Sequence, residues 1–263
     1  HDGETSGGSR ELDHREYFLR LGQRLIKMLD ENTADGFVFR VDMRLRPFGA
    51  SGPLAMSFTS MENYYEDQGR EWERYAMIKA RAIGTGQALR DGEQLLHALR
   101  PFIYRRYVDF GVIESLRELK NLINQEVLRR GKEDNVKTGA GGIREIEFIA
   151  QVFQLIRGGQ EQELQQRNLL TVLNVIRDLE LLPHGIVKEL RDDYIFLRNT
   201  EHRIQALQDR QTQLLPDDEL NRLRIAVGLG FADWEMFYDH LDALRQRVRT
   251  HFSNLIADSN KPA

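Results

Sequence analysis

The apolar and polar positions follow two different rhythms along the chain. Between residues 37 and 46 they alternate strictly, placing Phe37, Phe39, Val41, Met43 and Leu45 on one side and Val38, Arg40, Asp42, Arg44 and Arg46 on the other. A period of two predicts a β-strand with one covered face. Elsewhere apolar residues recur at three- and four-residue steps. Phe18, Leu21, Leu25 and Met28 predict a helix over residues 13–30 with Asp13 as its N-cap. Asn32 to Gly36 reads as a turn. Ser60 is expected to cap a short helix over 61–67, broken at Gly69. Residues 70–83 have a mixed period read as helix, and 88–99 form another closed by Pro101. Beyond residue 110 the pattern is helical almost throughout. Val112, Leu116, Leu119, Ile123 and Val127 form one stripe, and further helices are expected over 143–157, 168–181, 185–214, 217–227 and 233–256. Their short connections predict an antiparallel helical bundle. The expected fold class is α+β, mostly α.

Composition narrows the possibilities. The 263 residues are enough for two domains, and 41 % hydrophobic with 30 % charged residues is an ordinary globular balance. A formal charge of −4 argues against non-specific nucleic-acid binding, since basic character is local. Zero cysteines exclude disulfides and thiolate metal sites and fit a reducing cytoplasm. No apolar run approaches a membrane span and no signal peptide opens the chain. The polar, Gly-rich start without methionine reads as the middle of a loop in a longer protein.

Two stretches carry candidate chemistry. The polar face of the alternating segment holds Asp42 among Arg40, Arg44 and Arg46, ahead of the Gly-containing loop 48–54. A carboxylate among guanidinium groups suits phosphate chemistry with a metal, and equally suits a charged outer strand face. Arg74, Lys79 and Arg81 are open in the same way between phosphate contacts and a solvated face. The second stretch, residues 136–148, places Lys137 and Gly139, Gly141 and Gly142 before a helix, where backbone N–H groups can meet an anion. It has neither a phosphate-loop nor a dinucleotide pattern. Glu145 and Glu147 point about 200° apart on a helix, so they cannot chelate one ion. Glu145 falls on the apolar side and is expected to be structural and paired. His202 lacks a second ligand on its own face and is expected to be structural.

Taken together, Arg40-Val-Asp-Met-Arg-Leu-Arg-Pro-Phe-Gly49, Gly69-Arg-Glu-Trp-Glu-Arg-Tyr-Ala-Met-Ile-Lys-Ala-Arg81, Gly139-Ala-Gly-Gly-Ile-Arg-Glu-Ile-Glu-Phe148, Gln154-Leu-Ile-Arg-Gly-Gly159 and Glu201-His-Arg-Ile-Gln205 resemble the bifunctional glutamine synthetase adenylyltransferase/adenylyl-removing enzymes. The wording is that of their amino-terminal, adenylyl-removing half. The resemblance implies the carboxy-terminal part of a polymerase β-type nucleotidyltransferase domain over 1–108, then a helical bundle over 109–258 of the type shared with PII uridylyltransferases. It implies Mg²⁺ as cofactor, with Asp42 as the third of three metal carboxylates and Arg44 and Arg46 as phosphate contacts. Lys137, Gly139, Gly141 and Gly142 become nucleotide-contact candidates. The implied partners are glutamine synthetase, the PII signal protein, ATP or ADP, and phosphate, with neither nucleic acid nor membrane. The family's Gly-Ser motif and Asp-x-Asp pair are expected just before residue 1, so the fragment alone is expected to be inactive. Docking or signal relay by the helical part is the competing reading, and a relative of the PII uridylyltransferases is a third.

Overall fold

The computed structural model describes residues 3–8, 10–36, 38–106, 134–207 and 212–258, with single positions at 114, 118, 125 and 129. It divides into two compact units, His1–Ile103 and Tyr104–Ala263. The apolar stripe from Val112 to Val127 lies outside the described residues.

The first unit begins with α1, His14–Asp30. Asp13 caps it, its carboxylate accepting from the N–H groups of Arg15 at 2.8 Å and Glu16 at 3.3 Å. The apolar residues of α1 run along two sides. Leu19, Ile26 and Leu29 are half-buried, while Phe18, Leu21, Leu25 and Met28 stay exposed. After a loop come α2 (Phe58–Asp67), α3 (Glu71–Ile78), α4 (Gly86–Ala98) and the single turn α5 (Arg100–Ile103). Ser57, not Ser60, caps α2: its hydroxyl accepts the Ser60 N–H at 3.2 Å. Tyr64 and Tyr65 of α2 pack with Leu95 and Leu99, flanked by Met61, Met77 and Phe102. Three of these seven residues are aromatic, Tyr64, Tyr65 and Phe102, with Tyr65 against both of the other rings.

The expected strand over 37–46 does not form. Residues 38–44 are irregular, and the only β contacts among the described residues are three isolated bridges elsewhere. A strand exists only through a hydrogen-bonded neighbour, and no described segment supplies one. The N–H groups of Val38 and Phe39 go instead to the Leu29 carbonyl, at 3.1 and 2.8 Å, and that of Val41 to the Asp30 carboxylate at 3.0 Å. The alternation survives in part: Val41 and Met43 are half-buried, while Phe39 and Leu45 are exposed.

The second unit is helical. Its described helices are α6 (Ile143–Arg157), α7 (Leu169–Asp178), α8 (His184–Ala206), α9 (Glu219–Gly228) and α10 (Trp234–Asp258). Ten of the fifteen residues of α6 are buried, so it is an interior helix rather than a surface one. It packs against α7, α8 and α10. Ile146, Leu155, Leu173, Leu190, Leu197, Phe237, Leu241 and Phe252 lie in the core they enclose. The seam between α8 and α10 also carries charge. Buried Asp193 accepts a two-pronged contact from Arg247, with Nε at 3.0 Å, and Glu189 meets His251 at 2.7 Å one turn away. Burial pushes the Asp193 carboxyl above its ordinary range even though the guanidinium draws it down.

Candidate functional site

Residues 38–52 carry the charged face read from the sequence. Asp42 Oδ1 accepts the Arg44 N–H at 3.0 Å, and the Arg44 guanidinium returns to the same carboxylate, Nε at 3.0 Å and Nη2 at 2.6 Å. The Arg44 side-chain hydrogen bond, then its backbone one, hold the Asp42 carboxyl down at about 2. Both side chains face solvent. Arg46 lies differently. Its Nε donates to the Gly52 carbonyl and its Nη2 to that of Ala50, both at 3.0 Å, while Nη1 reaches the Met43 carbonyl. Expected beside Asp42 as a phosphate contact, Arg46 instead ties the turn 47–52 together. Asp42 and Arg44 are brought together; Arg46 is turned away.

That turn is anchored from below. Phe48 adopts a left-handed backbone, φ 63°, and its ring meets Tyr64 edge-on at 4.5 Å between centroids. The Tyr64 hydroxyl donates to Glu73 at 3.0 Å, and Glu73 also accepts the Arg70 N–H at 2.8 Å at the start of α3. Arg74 follows with a side chain 0 % exposed, its Nη1 on Glu71 at 2.6 Å and its Nε and Nη2 on the Ile103 carbonyl at 3.2 Å. A cation so placed clamps α3 to α5 and serves neither as a phosphate contact nor as a solvated face. Lys79 and Arg81 are exposed. Sequence reasoning missed Glu73 and Arg74 as buried groups, because their partners lie up to 29 positions away.

The Gly-rich turn is engaged with itself. Asn135 Oδ1 accepts the N–H groups of Lys137 and Thr138 at 2.9 and 2.8 Å. The N–H groups of Gly139, Gly142, Ile143, Arg144 and Glu145 go to the carbonyls of Asn135, Gly139, Val136, Lys137 and Gly142. The first helical N–H groups of α6, where an anion was expected, therefore already have acceptors. The glycines answer to packing. Gly141 has φ +71°, and a Cβ there would come within 2.0 Å of the Arg245 carbonyl oxygen; one on Gly142 would meet the Val136 oxygen at 2.7 Å. Lys137 sends its ammonium to Glu201 of α8, at 3.7 Å, and Arg198 holds the other oxygen of that carboxylate. Glu201 itself is 2 % exposed. Glu145 is buried and takes part in an interaction of its own. His202 is exposed, with Nε2 at 3.5 Å from Arg198.

Comparison with known proteins bears on both units. Residues 1–98 match the family model for glutamate-ammonia ligase adenylyltransferase, and residues 117–256 that for GlnD PII-uridylyltransferase. A bifunctional glutamine synthetase adenylyltransferase/adenylyl-removing enzyme of Pseudomonas aeruginosa is 59 % identical over 98 % of this chain. The chain belongs to the glutamate-ammonia ligase adenylyltransferase family. Relatives of the same description from Pseudomonas syringae pv. tomato, at 59 %, and Hahella chejuensis, at 57 %, match over 97 % of the chain. In each case the chain spans 26 % of the relative's length.

Membership in this family gives the Mg²⁺ expectation a test in the donor set. Asp42 is a single carboxylate already held on both oxygens by Arg44, and no group of three His, Cys, Asp or Glu able to hold a metal occurs among the described residues. Mg²⁺ takes near-octahedral oxygen ligation, for which one paired carboxylate does not suffice. The described residues do not fit a complete magnesium centre. Among them, too, no helix is long and apolar enough to cross a membrane.

Proposed function

We propose that the chain is part of an enzyme that removes AMP from an adenylylated tyrosine of glutamine synthetase by phosphorolysis in the cytoplasm. A phosphate oxygen bonds to the AMP phosphorus, the bond from that phosphorus to the tyrosine oxygen breaks, and the tyrosine oxygen takes up a proton. The products are ADP and free tyrosine. The observation that carries this reading is the 59 % identity to a relative named as adenylyl-removing, extending over 98 % of the chain.

In this reading residues 1–108 are a partial nucleotidyltransferase domain and residues 109–258 a helical bundle domain. Arg44 supplies the charge that receives phosphate, because its guanidinium is exposed and rests on Asp42 at the surface of the segment. Magnesium, if bound, would take at most one carboxylate from this segment, that of Asp42 once released by Arg44, and its other ligands from outside the described residues. Arg46 acts by holding the turn beside them. A second reading, docking or signal relay toward the PII protein by the helical unit, is favoured by the match of residues 117–256 to the PII-uridylyltransferase model.

The test is ADP release from adenylylated glutamine synthetase supplied with phosphate and Mg²⁺. The 263-residue chain alone is expected to release none. A polypeptide of the relatives' full length that carries these residues is expected to release ADP, and Asp42→Asn in it to abolish turnover while glutamine synthetase still binds. Undiminished turnover by that variant would remove Asp42 from the chemistry.

A further inference from the structure

The turn that follows Asp42 and Arg44 is strained. Phe48 and Gly49 stand in succession in the left-handed region, at φ 63° and 59°, a backbone that phenylalanine seldom adopts. The turn is also tight, since a Cβ on Gly52 would come within 1.9 Å of the Pro47 carbonyl oxygen. Such a backbone persists only where its surroundings over-determine it. Burial of the Phe48 side chain does not do so, because that residue is 48 % exposed. The restraint comes from hydrogen bonds on two sides of the turn.

On one side the Arg46 guanidinium gives its donors to the carbonyls of Met43, Ala50 and Gly52. Met43 is the residue between Asp42 and Arg44, so this clasp joins the turn to the peptide from which both side chains depart. On the other side lies Tyr64 of α2, which is buried. Its hydroxyl donates to Glu73, 3.0 Å from Oε1 and 3.1 Å from Oε2, and is hydrogen-bonded by the backbone of Phe48. Burial pushes this hydroxyl above its ordinary value and the Phe48 contact draws it down, the effect of an N–H donor. Capping α3 occupies only Oε2 of Glu73, which accepts the Arg70 N–H at 2.8 Å. Oε1 is left to Tyr64. The chain of contacts therefore runs from Glu73 through the Tyr64 hydroxyl to Phe48, and from the turn through Arg46 to the Met43 carbonyl.

On the reading of Arg44 as the group that receives phosphate, we propose that Tyr64 and Glu73 are positioning residues for it: they hold the strained turn 47–52, and the turn, through Arg46, sets the peptide that carries Asp42 and Arg44. Neither residue touches phosphate. Without the Tyr64 hydroxyl the Phe48 N–H loses its acceptor and the left-handed backbone relaxes. Arg44 then meets phosphate in a mixture of orientations. Because Arg44 serves phosphate in the ground state and the transition state alike, the loss falls on KM for phosphate rather than on kcat.

The experiment has two arms. The first is steady-state turnover of adenylylated glutamine synthetase by a polypeptide of the relatives' full length, with phosphate varied. Tyr64→Phe keeps the ring and removes only the hydroxyl. It is expected to raise KM for phosphate about tenfold, the loss of one hydrogen bond to a charged group, with kcat nearly unmoved. Glu73→Gln retains an acceptor for Tyr64 and is expected to keep KM near its original value, whereas Glu73→Leu should reproduce Tyr64→Phe. The second arm needs no turnover. In the 263-residue chain, amide hydrogen exchange at Phe48, Gly49 and Gly52 should quicken about tenfold or more in Tyr64→Phe, with exchange in α4 unchanged. If even the unsubstituted full-length polypeptide releases no ADP, the phosphorolysis reading falls, and the exchange arm alone decides whether Tyr64 holds the turn. Should Glu73→Leu unfold the first unit, Tyr64→Phe carries the test by itself. Unchanged exchange at Phe48, or an unchanged KM for phosphate in active Tyr64→Phe, would overturn the proposal.

Discussion

Asp42 gives the molecule a measurable handle at a single carboxyl. Its folded-state value, about 2, lies below the ordinary 3.8, because Arg44 stabilises the ionised form. Linkage then runs in one direction: the contribution of the contact is complete above 3.8 and is lost as pH falls through about 2. Titration of the Asp42 carboxyl carbon by NMR should show a midpoint near 2, and Arg44→Ala should return it toward 3.8. Buried residues respond through stability instead. Asp193→Asn breaks the two-pronged contact with Arg247 in the α8–α10 seam and should cost about 3 kcal/mol in urea unfolding. Gly141→Ala should cost about 2 kcal/mol or more, since its left-handed backbone and the Arg245 carbonyl both refuse a Cβ. At this scale the sequence was least legible. Asp193 and Arg247 are 54 positions apart, Lys137 and Glu201 are 64 apart, and no local pattern marks either pair. Arg74 misled for the same reason: a basic residue reads as surface until the Ile103 carbonyl is placed beside it.

Elements were far more readable, because their causes are local. Asp13 announces α1 by a short polar side chain just before apolar periodicity, and it accepts from the first turn; Asn168, read as the first residue of its helix, is instead the cap of α7. The α2 cap shows the limit of such reading. Ser57 and Ser60 are the same residue type three positions apart, and only the backbone decides that Ser57 accepts while Ser60 donates. Ser57→Ala should therefore destabilise the first unit by about 1 kcal/mol, and Ser60→Ala should do markedly less, as read by thermal melts. The strand misreading has a different origin. Alternation reports which side chains prefer cover; a ladder also requires a second extended segment, and residues 38–44 have none among those described.

On the scale of the whole molecule, the two units are stabilised by different means. The first has a small, partly aromatic core and relies on buried polar contacts, Tyr64 with Glu73 and Arg74 with Ile103. The second surrounds an interior helix with aliphatic side chains from α7, α8 and α10. The open side of α1 has a practical consequence for the chain in solution. Phe18, Leu21, Leu25 and Met28 are exposed at helical spacing, next to a segment that leaves Phe39 and Leu45 exposed as well. Contiguous apolar surface of this kind promotes self-association as concentration rises. Leu21→Gln with Leu25→Gln should raise the concentration at which light scattering still reports a monodisperse solution. The same pair should leave the melting temperature almost unmoved, since side chains already in water have little burial to lose. Colloidal behaviour and fold stability, usually coupled through leucine, should here be adjustable one without the other.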